Sequence, residues 1–155
     1  MLDRLRRFGL HVGYRILRIS WRIRHPVTLG VRLLLVDDDK ILLVQHTYRP
    51  GWFLPGGRPE KGESLAKTAR REAQEEAGVE AKCVELLGMV SHLPSWRSDH
   101  VAVFTAKSFT RKPISSGEIE RVGMFSLDGL PDETSDEARA ILEKLHSAER
   151  RYCIV

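Results

Sequence analysis

Apolar residues are spaced as in strands over Val27 to Val36 and again over Ile41 to Gln45, with the polar run Asp37-Asp38-Asp39-Lys40 between them. That order predicts a hairpin of two strands. The Asp triplet could meet a cation, but a polar turn needs no such role. His46 to Trp52 then leads as a loop into Leu54-Pro55-Gly56-Gly57, a turn where the backbone can approach a ligand closely. From Ser64 the period changes to that of a helix. Leu65, Ala69 and Ala73 form an apolar row, Ser64 can cap the first turn, and Gly78 is a natural stop. Strand patterns return over Ala81 to Val90, His100 to Ala106 and Glu118 to Leu127, with loops at 91–99 and 107–117. Thr134 and Glu137 form a capping box for a last helix that buries Ala138, Ile141, Leu142 and Leu145. Trp52 reads as a core residue. A chain of 155 residues with this alternation suits one α/β domain with a sizeable core.

Residues 2–24 break the pattern. Leu2, Leu5, Leu10, Val12, Ile16, Leu17, Ile19, Trp21 and Ile23 are interleaved with arginines, and they do not fall on one clean stripe. Residues 1–26 hold Arg4, Arg6, Arg7, Arg15, Arg18, Arg22 and Arg24 against Asp3 alone, a local excess of +6 in a chain whose total is +4. The remainder therefore carries −2, and the basic character belongs to this segment. A helix over part of it is expected, ending near His25-Pro26. It reads either as an element packed on the domain or on a second subunit of a homodimer, or as a basic helix on an anionic membrane surface. Nucleic acid is a less favoured partner, because arginine content alone makes only a patch. The segment also loosely resembles a transit peptide but lacks the usual serines. Cys83 and Cys153 show no metal or redox spacing and read as reduced thiols of a cytoplasmic protein, with a disulfide the lesser alternative. No run of 18 apolar residues predicts a membrane span.

The predicted helix carries the chemistry. At about 100° per residue, Glu72, Glu75 and Glu76 fall within one arc of roughly 100° beside the apolar row, while Lys67, Arg70, Arg71 and Gln74 fall on the far side. Like charges on neighbouring helical positions repel. A solvated acidic face is the ordinary explanation, but the glycine turn and Glu63 just ahead of the helix favour a bound cation. Oxygen donors without cysteine or histidine suit Mg²⁺ or Mn²⁺ rather than zinc.

Gly57, Glu63 and the run Arg71-Glu72-Ala73-Gln74-Glu75-Glu76-Ala77-Gly78-Val79 resemble a complete Nudix box, with every fixed position present. Chance would produce that match with odds on the order of 10⁻⁷ or less, so composition does not explain it. The resemblance implies a Nudix-type α/β/α sandwich over 27–155, with a mixed β-sheet between the box helix and the C-terminal helix. It implies Glu72 and Glu76 as the main metal ligands, Glu75 as a further ligand or the base, and the Gly57 carbonyl completing the shell. Arg71 would orient the glutamates and Glu63 would hold the loop. An acid ahead of the last strand is also implied, best matched by Glu118 and next by Glu120. Glu75 and Glu118 both stand as the base.

A carboxylate-held Mg²⁺ beside a spare carboxylate suits hydrolysis of a phosphoanhydride in a nucleoside diphosphate linked to another group. Arg49, Arg58, Trp96 and Arg97 are the candidate substrate contacts, through phosphate pairing or base stacking, with Tyr48 nearby. Pro94 stands near a position that some ADP-ribose-cleaving relatives mark with proline. ADP-ribose-like compounds, nucleoside triphosphates, dinucleoside polyphosphates and nucleotide sugars stay open. The alternative is a protein of this fold that binds nucleotides or partners without hydrolysis, usually after loss of box glutamates. Here all are kept.

Overall fold

The computed structural model describes residues 27–92, 98–112 and 117–147. The N-terminal segment 1–26, Pro94, Trp96, Arg97 and Cys153 lie outside the described residues, as does the Leu145 side chain. The elements are β1 (Val27–Leu34), β2 (Val36–Asp37), β3 (Lys40–His46), β4 (Trp52–Phe53), α1 (Leu65–Ala77), β5 (Val79–Ala81), β6 (Glu85–His92), β7 (Ser98–Thr105), β8 (Phe109–Arg111), β9 (Ile119–Ser126) and α2 (Asp136–Ser147).

One sheet has the order β1-β7-β6, with β1 parallel to β7 and β6 antiparallel to it. The other is built on β3, which pairs with β2, β4 and β9, all antiparallel. β5 and β8 form a separate two-stranded ribbon. The hairpin expected from the sequence survives only as a stub. Val36–Asp37 pairs with Lys40–Ile41 across Asp38 and Asp39, whose φ values of 46° and 60° suit a type I′ turn. β1 itself leaves for the other sheet, because Val31 and Leu33 on one face and Leu34 on the other are all buried, and a strand buried on both faces belongs inside the sandwich. The strand expected over Ala81 to Val90 is likewise divided into β5 and β6, and part of the expected 107–117 loop is β8.

Alternation along the strands divides the interior into two layers. Val31, Leu33, Leu42, Val44, Ala102 and Phe104 pack with Ala69, Ala73 and Ala77 of α1. Leu34, Ile41, Leu43, Val101 and Val103 pack with Ala138, Ile141 and Leu142 of α2. The result is the expected mixed α/β/α sandwich. Trp52 is half-buried in the α2 layer, edge-on to Phe125 at 4.8 Å. α2 is capped by Ser135 rather than by Thr134, since the Ser135 hydroxyl accepts the Ala138 N–H at 3.2 Å. Glu137 turns instead to Arg32 of β1, with its two oxygens 2.6 and 3.2 Å from the guanidinium. Among the described residues no helix is long and apolar enough to cross a membrane.

Candidate active site

The glycine turn is fastened to the free edge of β1. Val31 N–H donates to the Gly57 carbonyl and Leu33 N–H to that of Pro55, each at 2.8 Å. Gly56 has φ +152°, and a Cβ there would strike the Val31 carbonyl and come within 2.9 Å of Arg32 Cα. A Cβ on Gly57 would meet the Glu72 carboxylate, 2.6 Å from its Cδ. Only glycine fits at Gly56, a side chain at Gly57 would push the Glu72 carboxylate aside, and the missing side chains let α1 reach the turn. Helix α1 starts and stops as its sequence predicts. The Ser64 hydroxyl accepts the Lys67 N–H at 3.3 Å, and Gly78 closes the helix at φ 62°.

Arg71 organises the carboxylates. Its helical angle places it away from them, yet its guanidinium reaches round to three. It donates to both oxygens of Glu63 at 3.2 and 3.0 Å, to Glu72 Oε1 at 2.8 Å and to Glu75 Oε2 at 3.1 Å. A further bond to the Arg58 carbonyl at 3.1 Å ties it to the turn. The hydrogen bonds from Arg71, then that from the Glu60 amide, hold the Glu63 carboxyl down at about 2. Thr68 also donates to Glu63 at 3.0 Å. Glu63 therefore closes the loop onto the helix through charge-assisted bonds. Burial pushes Glu72 above the usual carboxylate range, against the pull of Arg71.

Glu76 lies deeper. Its Oε2 accepts the Gly56 N–H at 2.8 Å, and its Oε1 stands 3.7 Å from His46 Nε2. Burial raises its pKa to about 7, with the Glu72 charge adding to the rise and the Gly56 N–H opposing it. His46, only 2% exposed, packs between the rings of Tyr48 and Phe53 at 5.1 and 5.5 Å. Burial, then the charges of Arg49 and Arg32, lower its pKa to about 3. Arg49 lies 3.6 Å over the Phe53 ring and brings Nη2 to 2.8 Å from His46 Nε2.

Of the residues singled out from the sequence, the fold gathers Gly57, Glu63, Arg71, Glu72, Glu75 and Glu76 along one side of α1, with Arg49 at the Glu76 side through His46. Arg58 is exposed and enters through its carbonyl. Glu118 is exposed ahead of β9, its carbonyl accepting the Thr47 N–H at 2.8 Å next to His46. His46 escaped the sequence reading. The available signal was its place two residues beyond Val44 on the inward face of a strand, where a polar side chain must find a partner.

The donors around the turn are all hard oxygens: Glu72, Glu75, Glu76 and the Gly57 carbonyl, which fits a divalent ion such as Mg²⁺ or Mn²⁺. Burial lifts both Glu72 and Glu76 against the pull of nearby arginines, and a cation at the turn would favour their charged forms. Among the described residues no three acidic, thiol or imidazole groups are drawn into one chelating cluster, since Arg71 holds Glu72 and Glu75 while Gly56 holds Glu76.

Comparison with known proteins gives the family and agrees with the fold. The family described as "NUDIX domain" matches residues 25–145. The human protein named "8-oxo-dGDP phosphatase NUDT18" is 37% identical over 79 residues, which is 48% of this chain and 24% of that protein. The chain thus spans about a quarter of that relative's length. A protein of Methanocaldococcus jannaschii named "ADP-ribose pyrophosphatase" is 31% identical over 122 residues, 76% of this chain and 72% of that one. The crystal structure of a MutT NUDIX hydrolase from Burkholderia pseudomallei superposes with a TM-score of 0.69 at 28% identity, covering 77% of this chain and 98% of that one. With a family match that runs from just before β1 into the last turn of α2, the chain belongs to the NUDIX family.

Proposed function

We propose that the protein hydrolyses, with Mg²⁺ or Mn²⁺, a phosphoanhydride bond in a nucleoside diphosphate joined to another group, giving a nucleoside monophosphate and a phosphorylated product. The observation that carries this reading is the seat of the glutamates. Gly56 and Gly57 lie against Glu76 and Glu72, and Arg71 gathers Glu63, Glu72 and Glu75 at the same turn. Relatives named for ADP-ribose and for 8-oxo-dGDP favour a nucleotide substrate.

Glu72, Glu76 and the Gly57 carbonyl would hold the ion, with Glu75 beside them. When bound, the ion supplies neutralisation of phosphate oxygens and an acidified attacking water. The chain's own groups do the rest. Arg71 fixes the rotamers of Glu72 and Glu75, and Glu63 anchors Arg71. Glu75, more than half exposed, can swing from Arg71 to accept the proton of the attacking water; Glu118 at the start of β9 is the other candidate base. In this reading Arg49 and Arg58 would receive phosphate oxygens, and Trp96 and Arg97, which lie outside the described residues, would complete the contacts to the nucleotide.

The test is a panel of ADP-ribose, nucleoside triphosphates, dinucleoside polyphosphates and nucleotide sugars incubated with Mg²⁺, with products identified by mass. Wild type is expected to release a nucleoside monophosphate from at least one of them, and Glu76→Gln to release none while staying folded. Turnover by E76Q equal to wild type would refute the assignment.

A further inference from the structure

The bond between Arg49 and His46 has a defined direction. Arginine offers five N–H donors and no acceptor. At 2.8 Å from Arg49 Nη2, His46 Nε2 therefore accepts, and the imidazole is neutral with its proton on Nδ1. The register shift here leaves Glu120 of β9 as the extra residue, so alternation along β3 continues and puts His46 on the Val44 face, toward Glu76 of α1. The ring is clamped by Tyr48 and Phe53, and Arg49 is laid over the same Phe53.

One Glu76 oxygen is taken by Gly56, and the other faces the same imidazole nitrogen that receives Arg49. Both groups therefore approach one nitrogen, Nε2, and its lone pair receives the Arg49 Nη2 proton. Its Nδ1 is buried with no hydrogen-bond partner, a donor of the kind that a ligand oxygen or a water completes.

We propose that His46 is a positioning residue: a neutral imidazole that accepts from Arg49 and fixes its guanidinium beside Glu76 as the arm that binds the substrate's diphosphate. The reading rests on the proposed hydrolysis and adds to it the group that sets diphosphate affinity. A guanidinium of fixed plane meets two phosphate oxygens as a fork, and fixing it beforehand lowers the ordering cost of binding.

The experiment is a double-mutant cycle on the affinity for inorganic pyrophosphate in the presence of Mg²⁺, measured by calorimetry. R49M keeps the stem over Phe53, and H46F keeps the aromatic packing but removes the acceptor. Each is expected to weaken binding by about ten- to hundredfold, and the double variant by no more than R49M alone. H46Q, whose amide oxygen can accept from Arg49, is expected within about threefold of wild type. The inference is overturned if H46F binds as wild type does, if the two losses multiply, or if H46Q falls as far as H46F. Should H46F not fold, H46M takes its place in the same cycle. If pyrophosphate binding follows this pattern while wild type cleaves no nucleotide, the hydrolysis reading fails and the His46 assignment stands.

Discussion

Replacing Glu76 by glutamine separates the cost of its buried charge from its use. The carboxyl is 10% exposed, and its pKa stands at about 7 against an ordinary 4.5. A raised carboxyl pKa means that the folded state holds the proton more tightly than the unfolded chain. Its contribution to stability is full below about pH 4.5 and is lost as the pH rises through about 7. Each tenfold in proton affinity is worth about 1.4 kcal/mol, so the whole loss comes to about 3 kcal/mol. Glutamine imitates the protonated side chain and can still accept the Gly56 N–H. Urea unfolding of the EDTA-treated proteins should therefore show E76Q and wild type nearly equal at about pH 4, and E76Q ahead by about 3 kcal/mol at about pH 8.5. An ion at a hundred times its Kd should return about 2.7 kcal/mol to wild type at the higher pH and little to E76Q. A difference between the two proteins that stays flat with pH, or shrinks as pH rises, would refute the account. So would equal stabilisation of both by Mg²⁺.

The remaining expectations concern the same turn. Gly57→Ala places a methyl group on the Glu72 carboxylate. Thermal unfolding should show a loss of about 1–3 kcal/mol, and kcat should fall by about a hundredfold as Glu72 is displaced. Arg71→Met removes the main cause of the low Glu63 pKa of about 2. A depressed carboxylate contributes stability that is present above about pH 4.5 and lost as the pH falls through about 2. The variant lacks that contribution, so the acid-unfolding curves should draw together at the lowest pH; parallel curves would count against the network. Ala73→Leu overfills the α1 layer and Ile141→Ala hollows the α2 layer, at about 1–3 and 2–5 kcal/mol respectively. Turnover per folded molecule should drop much further in A73L, and equal drops would show that the two layers do not differ in their hold on the site.

The legible part of this chain was its local part. The box helix is capped, stopped and faced as its sequence predicts, because Ser64, Gly78 and the row Ala69, Ala73 act within one element. Pairing was harder to read. The Asp38-Asp39 turn is correct as a turn, but which sheet β1 joins depends on β7, some seventy residues away, and on burial of both its faces. Arg71 was misplaced by the helical wheel, which fixes the direction of Cβ but not of a guanidinium four bonds further out. The Ser135 cap displaced the expected box because Glu137 gains more from Arg32, a partner no local pattern reveals. His46 lacked a motif of its own; its meaning comes from Glu76 and Arg49 arriving on one nitrogen.

The two helices do different work because their buried faces differ in size. α2 presents Ile141 and Leu142 with Ala138 to the sheets, which is enough to close a layer at ordinary helix distance. α1 presents Ala69, Ala73 and Ala77, small side chains that permit a close approach of its backbone to β1 and β3. That approach carries Glu72 and Glu76 to the glycine turn, and the turn in turn has no side chains to keep them off. Small residues on the helix and glycines on the loop are thus one device, because enlarging either would separate the carboxylates from the backbone they face. Buried carboxylates at that seat cost stability in the metal-free protein at neutral pH, as the raised pKa of Glu76 shows. A fold that needed only a core at this position would be better served by leucine, so the acidic edge of α1 is accounted for by the ion binding proposed above rather than by packing.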